Sequence, residues 1–298
     1  MWLNAGIFSQ IEAEVLKQAI FAYGYTTVNL SISNLVSSTG IVASDTTGVG
    51  TARRYLAAAK YGIDKAIFAY GYTTTRVSMS NLVSNTGIVA SDTTGVGTAR
   101  YYLGAASYGI DKAIFAYGYT TNPVSRSNLV SNTGIVASDT TGVGTARHAL
   151  GAASYGIDKA IFAYGYTTIP VSRSNLVSNT GIVASDTTGV GTARHSLGAA
   201  SYGIDKAIFA YGYTTTFVSM SNLVSNTGIV ASDTTGVGTA RHDLGAASYG
   251  IDKAIFAYGY TTTFVSMSNL VSSTGIVASD TTGVGTARRA LAAASFGG

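Results

Sequence analysis

The chain has no cysteine. Disulfide staples and thiolate chemistry are therefore excluded, and the redox compartment stays open. Charge is scarce: Asp, Glu, Lys and Arg make up 11% of the 298 residues, against 46% hydrophobic, which is too apolar for a disordered chain. Long apolar runs are missing too, and none approaches the roughly 18 residues expected of a membrane-crossing helix, so no membrane insertion is expected. The opening Met1-Trp2-Leu3-Asn4 has neither a basic stretch nor a long apolar core, so no secretory signal is evident. The charge excess is small, with 18 Lys and Arg against 14 Asp and Glu. It comes from scattered residues, Arg54, Lys60, Arg76, Arg126, Arg173 and Arg289, which form no stripe for nucleic acid.

What is present is repetition. Ala-Ile-Phe-Ala-Tyr-Gly-Tyr starts at Ala19, Ala66, Ala113, Ala160, Ala207 and Ala254, each 47 residues after the one before, and six such periods span 282 residues. A fixed period of this length signals a repeat architecture. Read as a strand, Lys65–Tyr72 puts Ile67, Ala69 and Gly71 on one face and Ala66, Phe68, Tyr70 and Tyr72 on the other. Both faces are largely apolar, so the sheet is expected to be covered on both sides. No helix inside the repeat offers a cover, so the covering layers are other copies of the same sheet. A closed ring of such sheets is a β-propeller.

The second copy divides into strands at Arg54–Lys60, Lys65–Tyr72, Val77–Val83 and Ile88–Ser91, separated by turns at Tyr61–Asp64 and Ser84–Gly87. The expectation is an all-β, six-bladed β-propeller of 47-residue, four-stranded blades over residues 19–298. Small residues such as Leu103-Gly104-Ala105-Ala106-Ser107 place the first strand innermost, along the axis. The tail Thr286–Gly298 matches Thr51–Gly62, the piece missing before Ala19. It should complete the first blade as one strand added to three, a 3+1 closure. Residues 1–18 are not repeat. Ser9-Gln10-Ile11-Glu12 has capping-box spacing, and Ile7, Ile11 and Val15 form an apolar stripe, predicting a short helix over about residues 9–18 that plugs the ring or docks to another subunit.

An Arg before the small-residue strand (Arg53, Arg100, Arg147, Arg194, Arg241, Arg288), followed by a strand ending in glycine such as Gly71, resembles the Kelch repeat over about 280 residues. Tyr72 stands where that family has a second glycine, and its spaced Tyr and Trp are missing, since Trp2 is the single tryptophan. The resemblance is therefore Kelch-like. The wording Ser-Asn-Leu-Val-Ser-Asn-Thr-Gly-Ile-Val-Ala-Ser-Asp-Thr-Thr-Gly is also similar to repeat-rich propellers of environmental bacteriophage structural proteins. Near-identity of the copies fits recent amplification or an engineered consensus alike.

Candidate chemistry falls into three sets. Asp45, Asp92 and their copies open Asp-Thr-Thr-Gly turns, and with Arg53, Arg100 and their copies they read as structural: an Asp accepting amides of its own turn, compatible with an Arg pair. Calcium would need more carboxylates. Arg54, Tyr101, His148, His195, His242 and Arg289 share one repeat position and form a candidate rim that could bind an anion or other ligand; a metal held by the histidines alone is disfavoured by their spacing over adjacent blades. The position after it also varies: Tyr55, Tyr102, Ala149, Ser196, Asp243 and Ala290. Differences recur in the connection after Tyr-Thr-Thr, giving candidate contact loops at Arg76, Asn122, Ile169, Phe217 and Phe264, where exposed Phe suggests a contact surface.

No nucleophile–base–orienter set stands out, so no catalytic residue, cofactor or metal is expected. The reading is a structural or interaction protein: a phage-type virion fibre, decoration or adhesion propeller at a virion or extracellular surface. Its partner would be a protein or virion neighbour. The alternative is a multivalent glycan-binding propeller.

Overall fold

The computed structural model describes residues 16–298. Among these, the chain forms six three-stranded antiparallel sheets and no helix. Each sheet runs inner, middle, outer, as in Ala57–Tyr61, Lys65–Tyr72 and Arg76–Val83. The inner strands pack in cyclic order around one axis and line a central cavity of about 120 Å³. The result is a closed, propeller-like ring.

The middle strand is buried because both faces meet neighbouring sheets. Ala66 and Phe68 pack with Ile20, Ala22 and Tyr23 of the preceding sheet, while Ile67, Ala69 and Tyr70 pack with Ala113 and Phe115 of the next. Strict alternation would have put Tyr70 beside Phe68. A bulge between Ala69 and Gly71 moves it, with Tyr70 at φ 64° and Gly71 at φ 113°. The bulge also frees the Gly71 amide to bond Arg100 O of the next repeat at 3.0 Å, and the same bond recurs from Gly24 to Gly259.

Closure is made by the strand Ala292–Phe296, which pairs antiparallel with Gln18–Tyr25. This sheet has two strands from the N-terminal side and one from the C-terminal side, not three and one. The expected fourth strand is reduced in every repeat to isolated bridges such as Val83↔Val89 and Ser80↔Thr93. Backbone bonds hold this segment at Ala90 N to Leu82 O and at Thr93 N to Ser80 O, and between them the side-chain amide of the fully buried Asn81 takes Ala90 O at 2.9 Å and Asp92 Oδ1 at 2.8 Å, where the ladder is interrupted. In two repeats the outer strand is shortened to Ser127–Val130 and Ser174–Val177, following Pro123 and Pro170, which cannot donate to a ladder. The helix expected over residues 9–18 lies almost wholly outside the described residues; within them, Gln18 already opens a strand.

The buried arginines hold each sheet together. Arg147 is fully buried and donates Nε to Tyr164 O at 2.8 Å, Nη1 to Thr145 O at 3.2 Å and Nη2 to Asn175 Oδ1 at 2.7 Å. Its guanidinium lies 4.3 Å over the Tyr117 ring of the preceding sheet and 3.8 Å from Asp186. The arrangement recurs six times, and in the closing sheet Arg288 ties the C-terminal strand to Tyr23 O and Asn34. Arg53, Arg100, Asp45 and Asp92, expected to be structural, lie within these contacts, and the aspartates differ from the expectation in which partner they serve. Asp92 does not serve its own turn but accepts the Thr51 amide and hydroxyl, 41 residues earlier in the chain, and Asp45 does the same for Thr286.

Candidate functional site: the variable face and its axial mouth

The repeats differ mainly at one end of the ring, and the fold explains why. After Thr-Ala-Arg, the buried arginine and the following buried leucine, such as Leu56, anchor the chain on either side of two residues. The first bridges to the tyrosine that follows the bulge: Arg54 to Tyr72, Tyr101 to Tyr119, His148 to Tyr166, His195 to Tyr213, His242 to Tyr260 and Arg289 to Tyr25. The second turns toward the axis.

The candidate rim is therefore assembled, and it is larger than the six residues expected. Tyrosines alternate with them in an unbroken belt of half-buried side chains. Tyr72 and Tyr101 lie 5.2 Å apart between ring centres, Tyr119 and His148 5.0 Å, Tyr166 and His195 5.1 Å, and Tyr213 and His242 5.7 Å. Arg54 lies over Tyr25 at 4.3 Å and Arg289 over Tyr260 at 4.6 Å. Tyrosine stands between successive histidines, so the three imidazoles share no common centre. Burial, reinforced by His195, lowers the His148 pKa to about 4; burial also lowers that of His195, with Asp243 opposing. Both rings are neutral near pH 7.

Inside the belt, Tyr55, Tyr102, Ala149, Ser196, Asp243 and Ala290 all adopt left-handed backbone, φ 53° to 57°. In that conformation each amide reaches the carbonyl of its predecessor around the axis. Tyr102 donates to Tyr55, Ala149 to Tyr102, Ser196 to Ala149, Asp243 to Ser196, Ala290 to Asp243, and Tyr55 to Ala290, at 2.7 to 2.9 Å. These six hydrogen bonds form a closed circle over the cavity. Their side chains make its mouth asymmetric. Tyr55 and Tyr102 stack with ring centres 3.8 Å apart, and desolvation, with Asp243 adding to it, raises both phenol pKa values. Asp243 is buried and lines the cavity, its carboxylate 3.3 Å from His242 Nδ1. Ser196 Oγ lies 3.2 Å from His195 Nδ1. These polar contacts involve different histidines, so no single Ser–His–carboxylate line activates the hydroxyl.

The contact loops divide. Phe217 stacks on His242 at 5.3 Å and Phe264 packs edge-on to Tyr260 at 5.4 Å, so both are half-buried parts of the belt and not exposed side chains as expected. Arg76, Asn122 and Ile169 are exposed. Arg76 Nη1 reaches Thr120 O of the next repeat at 2.9 Å. Nearby, Arg126 and Arg173 pair with Asp139 and Asp186 at 2.9 and 3.0 Å. The belt tyrosines and the inward ring were not among the candidate rim residues. The inward position does vary between copies, and that was the signal for it. The tyrosines do not vary, and only the bulge shows where they point.

No protein-family model matches the chain, and a search of curated proteins returns no match.

Proposed function

We propose that this protein is a non-enzymatic interaction module of the kind used in virion fibres, decoration proteins and adhesins, with its variable face toward the partner. The observation that carries this reading is the distribution of differences. The recurring Arg, Asn, Asp and Thr side chains are engaged in holding each sheet, whereas most of the residues that differ gather on one end, at the belt, the mouth and the adjoining loops, with fewer elsewhere, such as Lys60 where other copies have Ser107. The Kelch-like assignment and the likeness to bacteriophage structural proteins belong to the same reading. They rest on the arginine before the inner strand, the glycine of the bulge and the wording of the repeat.

A second reading, a glycan-binding ring, is favoured by the belt itself, since half-buried Tyr and His rings offer apolar faces with polar edges. One experiment separates the two. The full chain is presented to virus-like or cell-surface particles and, separately, to a glycan array, with a variant in which Arg54, His148, His195, His242 and Arg289 are all made Tyr, as at Tyr101. Particle association lost in the variant supports the module; glycan binding lost in the variant supports the second reading. Association with particles that the variant retains in full would sink the assignment to this face.

A further inference from the structure

Two cations of the belt are left without an anion. Arg54 and Arg289 occupy successive belt positions and flank the same ring, with their guanidinium carbons 4.3 and 5.9 Å from the centre of Tyr25. Each also rests on further rings, Arg54 on Tyr72 at 5.2 Å and Arg289 on Phe264 at 5.9 Å. Every fully buried arginine has an aspartate within 4 Å, and Arg126 and Arg173 have one as well. Arg54 and Arg289 have none among the described residues. Asp243, close in the fold, has its carboxylate at the axial cavity beside His242. The Nε of each arginine is buried with no hydrogen-bond acceptor, and the one polar side-chain contact of the pair is Arg54 Nη1 to Asn29 Oδ1 at 3.4 Å. The same position elsewhere holds Tyr101 and three histidines, of which His148 and His195 are neutral near pH 7.

We propose that this sector of the belt binds the acid group of an acidic saccharide, a carboxylate or sulfate ester. The proposal rests on the glycan-binding reading of this face. Stacking fixes the plane of a guanidinium while leaving its N–H edges available, and such planar donors suit bidentate binding of oxyanions. Two of them around one ring gather the arginine charge of the belt at a single locus among aromatic side chains. The acid group would anchor there, and neighbouring Tyr and Phe edges would take the sugar.

The test is calorimetric titration of the full chain with oligogalacturonate, a sulfated oligogalactan and neutral oligogalactose. Arg54→Tyr and Arg289→His serve as variants, because both residues already occupy this position in other copies. The acidic sugars should bind at least tenfold tighter than the neutral one. Each variant should lose about fivefold or more of that advantage, and the double variant all of it. Placing His148→Arg with His195→Arg, which flank Tyr166, should raise the stoichiometry from one to two. Equal binding of acidic and neutral sugars, unchanged in the variants, overturns this inference and leaves the glycan reading standing. Binding of no saccharide by the folded chain overturns both. An acidic peptide that binds through the two arginines while no sugar does also overturns it.

Discussion

Replacing Arg147 with methionine isolates what the buried arginine contributes. The substitution removes the donors to Tyr164 O, Thr145 O and Asn175 Oδ1, the cation over Tyr117 and the partner of Asp186. Two acceptors, Tyr164 O and Asn175 Oδ1, are left deep in the sheet, and a stranded buried polar group costs about 1–3 kcal/mol. The desolvation of the guanidinium is relieved at the same time, which offsets part of this loss. Breaking a buried ionic network at one member typically costs about 3–5 kcal/mol. At roughly 2 °C per kcal/mol for a chain of this size, the midpoint should fall by about 6–10 °C. Thermal and urea unfolding of Arg147→Met would measure it. Arg126→Met is the internal control, since Met79, Met220 and Met267 hold that position in other repeats and the pair is half-exposed; it should cost less than about 1 kcal/mol. If Arg147→Met costs no more than the control, the desolvation term dominates and the arginine is not what holds the sheet.

Further outcomes test other parts of the structure. Gly165→Ala should destabilise by about 2–4 kcal/mol, because its backbone sits at φ 107° and a Cβ would lie 2.8 Å from His148 O; chemical denaturation reads this directly. Ala149→Val should cost about 1–2 kcal/mol at its left-handed position, and Ala149→Gly should cost nothing or stabilise. Stability should fall on acidification in two stages. The folded His148 pKa is lowered to about 4 by burial, so between about pH 6.5 and 4 the unfolded chain takes up a proton that the fold refuses. For Asp186 desolvation acts upward, but hydrogen bonds from Thr145, Asn175 and Arg173 outweigh it and hold the pKa at about 2; its contribution is present above the ordinary Asp value near 4 and is lost as pH falls toward 2. His148→Tyr should make the first stage shallower without removing it, because burial also lowers the His195 pKa, and should leave the second stage unchanged, as followed by midpoint against pH.

The ring was legible because its signals are redundant. Six copies of one apolar strand with no helix to cover it leave few architectures, and the match of Thr286–Gly298 to Thr51–Gly62 showed where the chain closes. What failed depended on side chains acting on backbone. Ile88–Ser91 reads as a strand by composition, yet it is reduced to bridges, with the buried Asn81 amide taking Ala90 O where the ladder is interrupted. Asp92 reads as a turn residue, because a partner at Thr51 is invisible to local pattern. Phe217 and Phe264 read as exposed because they sit in loops, yet the neighbouring belt residues receive them. The rim position was found by comparing the copies with one another, which works for residues that differ and is silent about Tyr25, Tyr72 and their equivalents, which do not.

The circle of amide-to-carbonyl bonds at the axis separates two duties that proteins usually assign to the same atoms. Closure there uses only main chain, and it asks of each contributor nothing but tolerance of a φ near 55°. Identity at the mouth is carried wholly by what hangs from those atoms: two phenols, a hydroxyl, a carboxylate and two methyl groups. The six positions thus behave like the digits of an address, changeable without altering the number of places, although neighbouring digits such as the stacked Tyr55 and Tyr102 read together. A ring whose repeats match almost letter for letter can thus hold a distinct axial chemistry in a few side chains, with the circle of main-chain bonds unchanged.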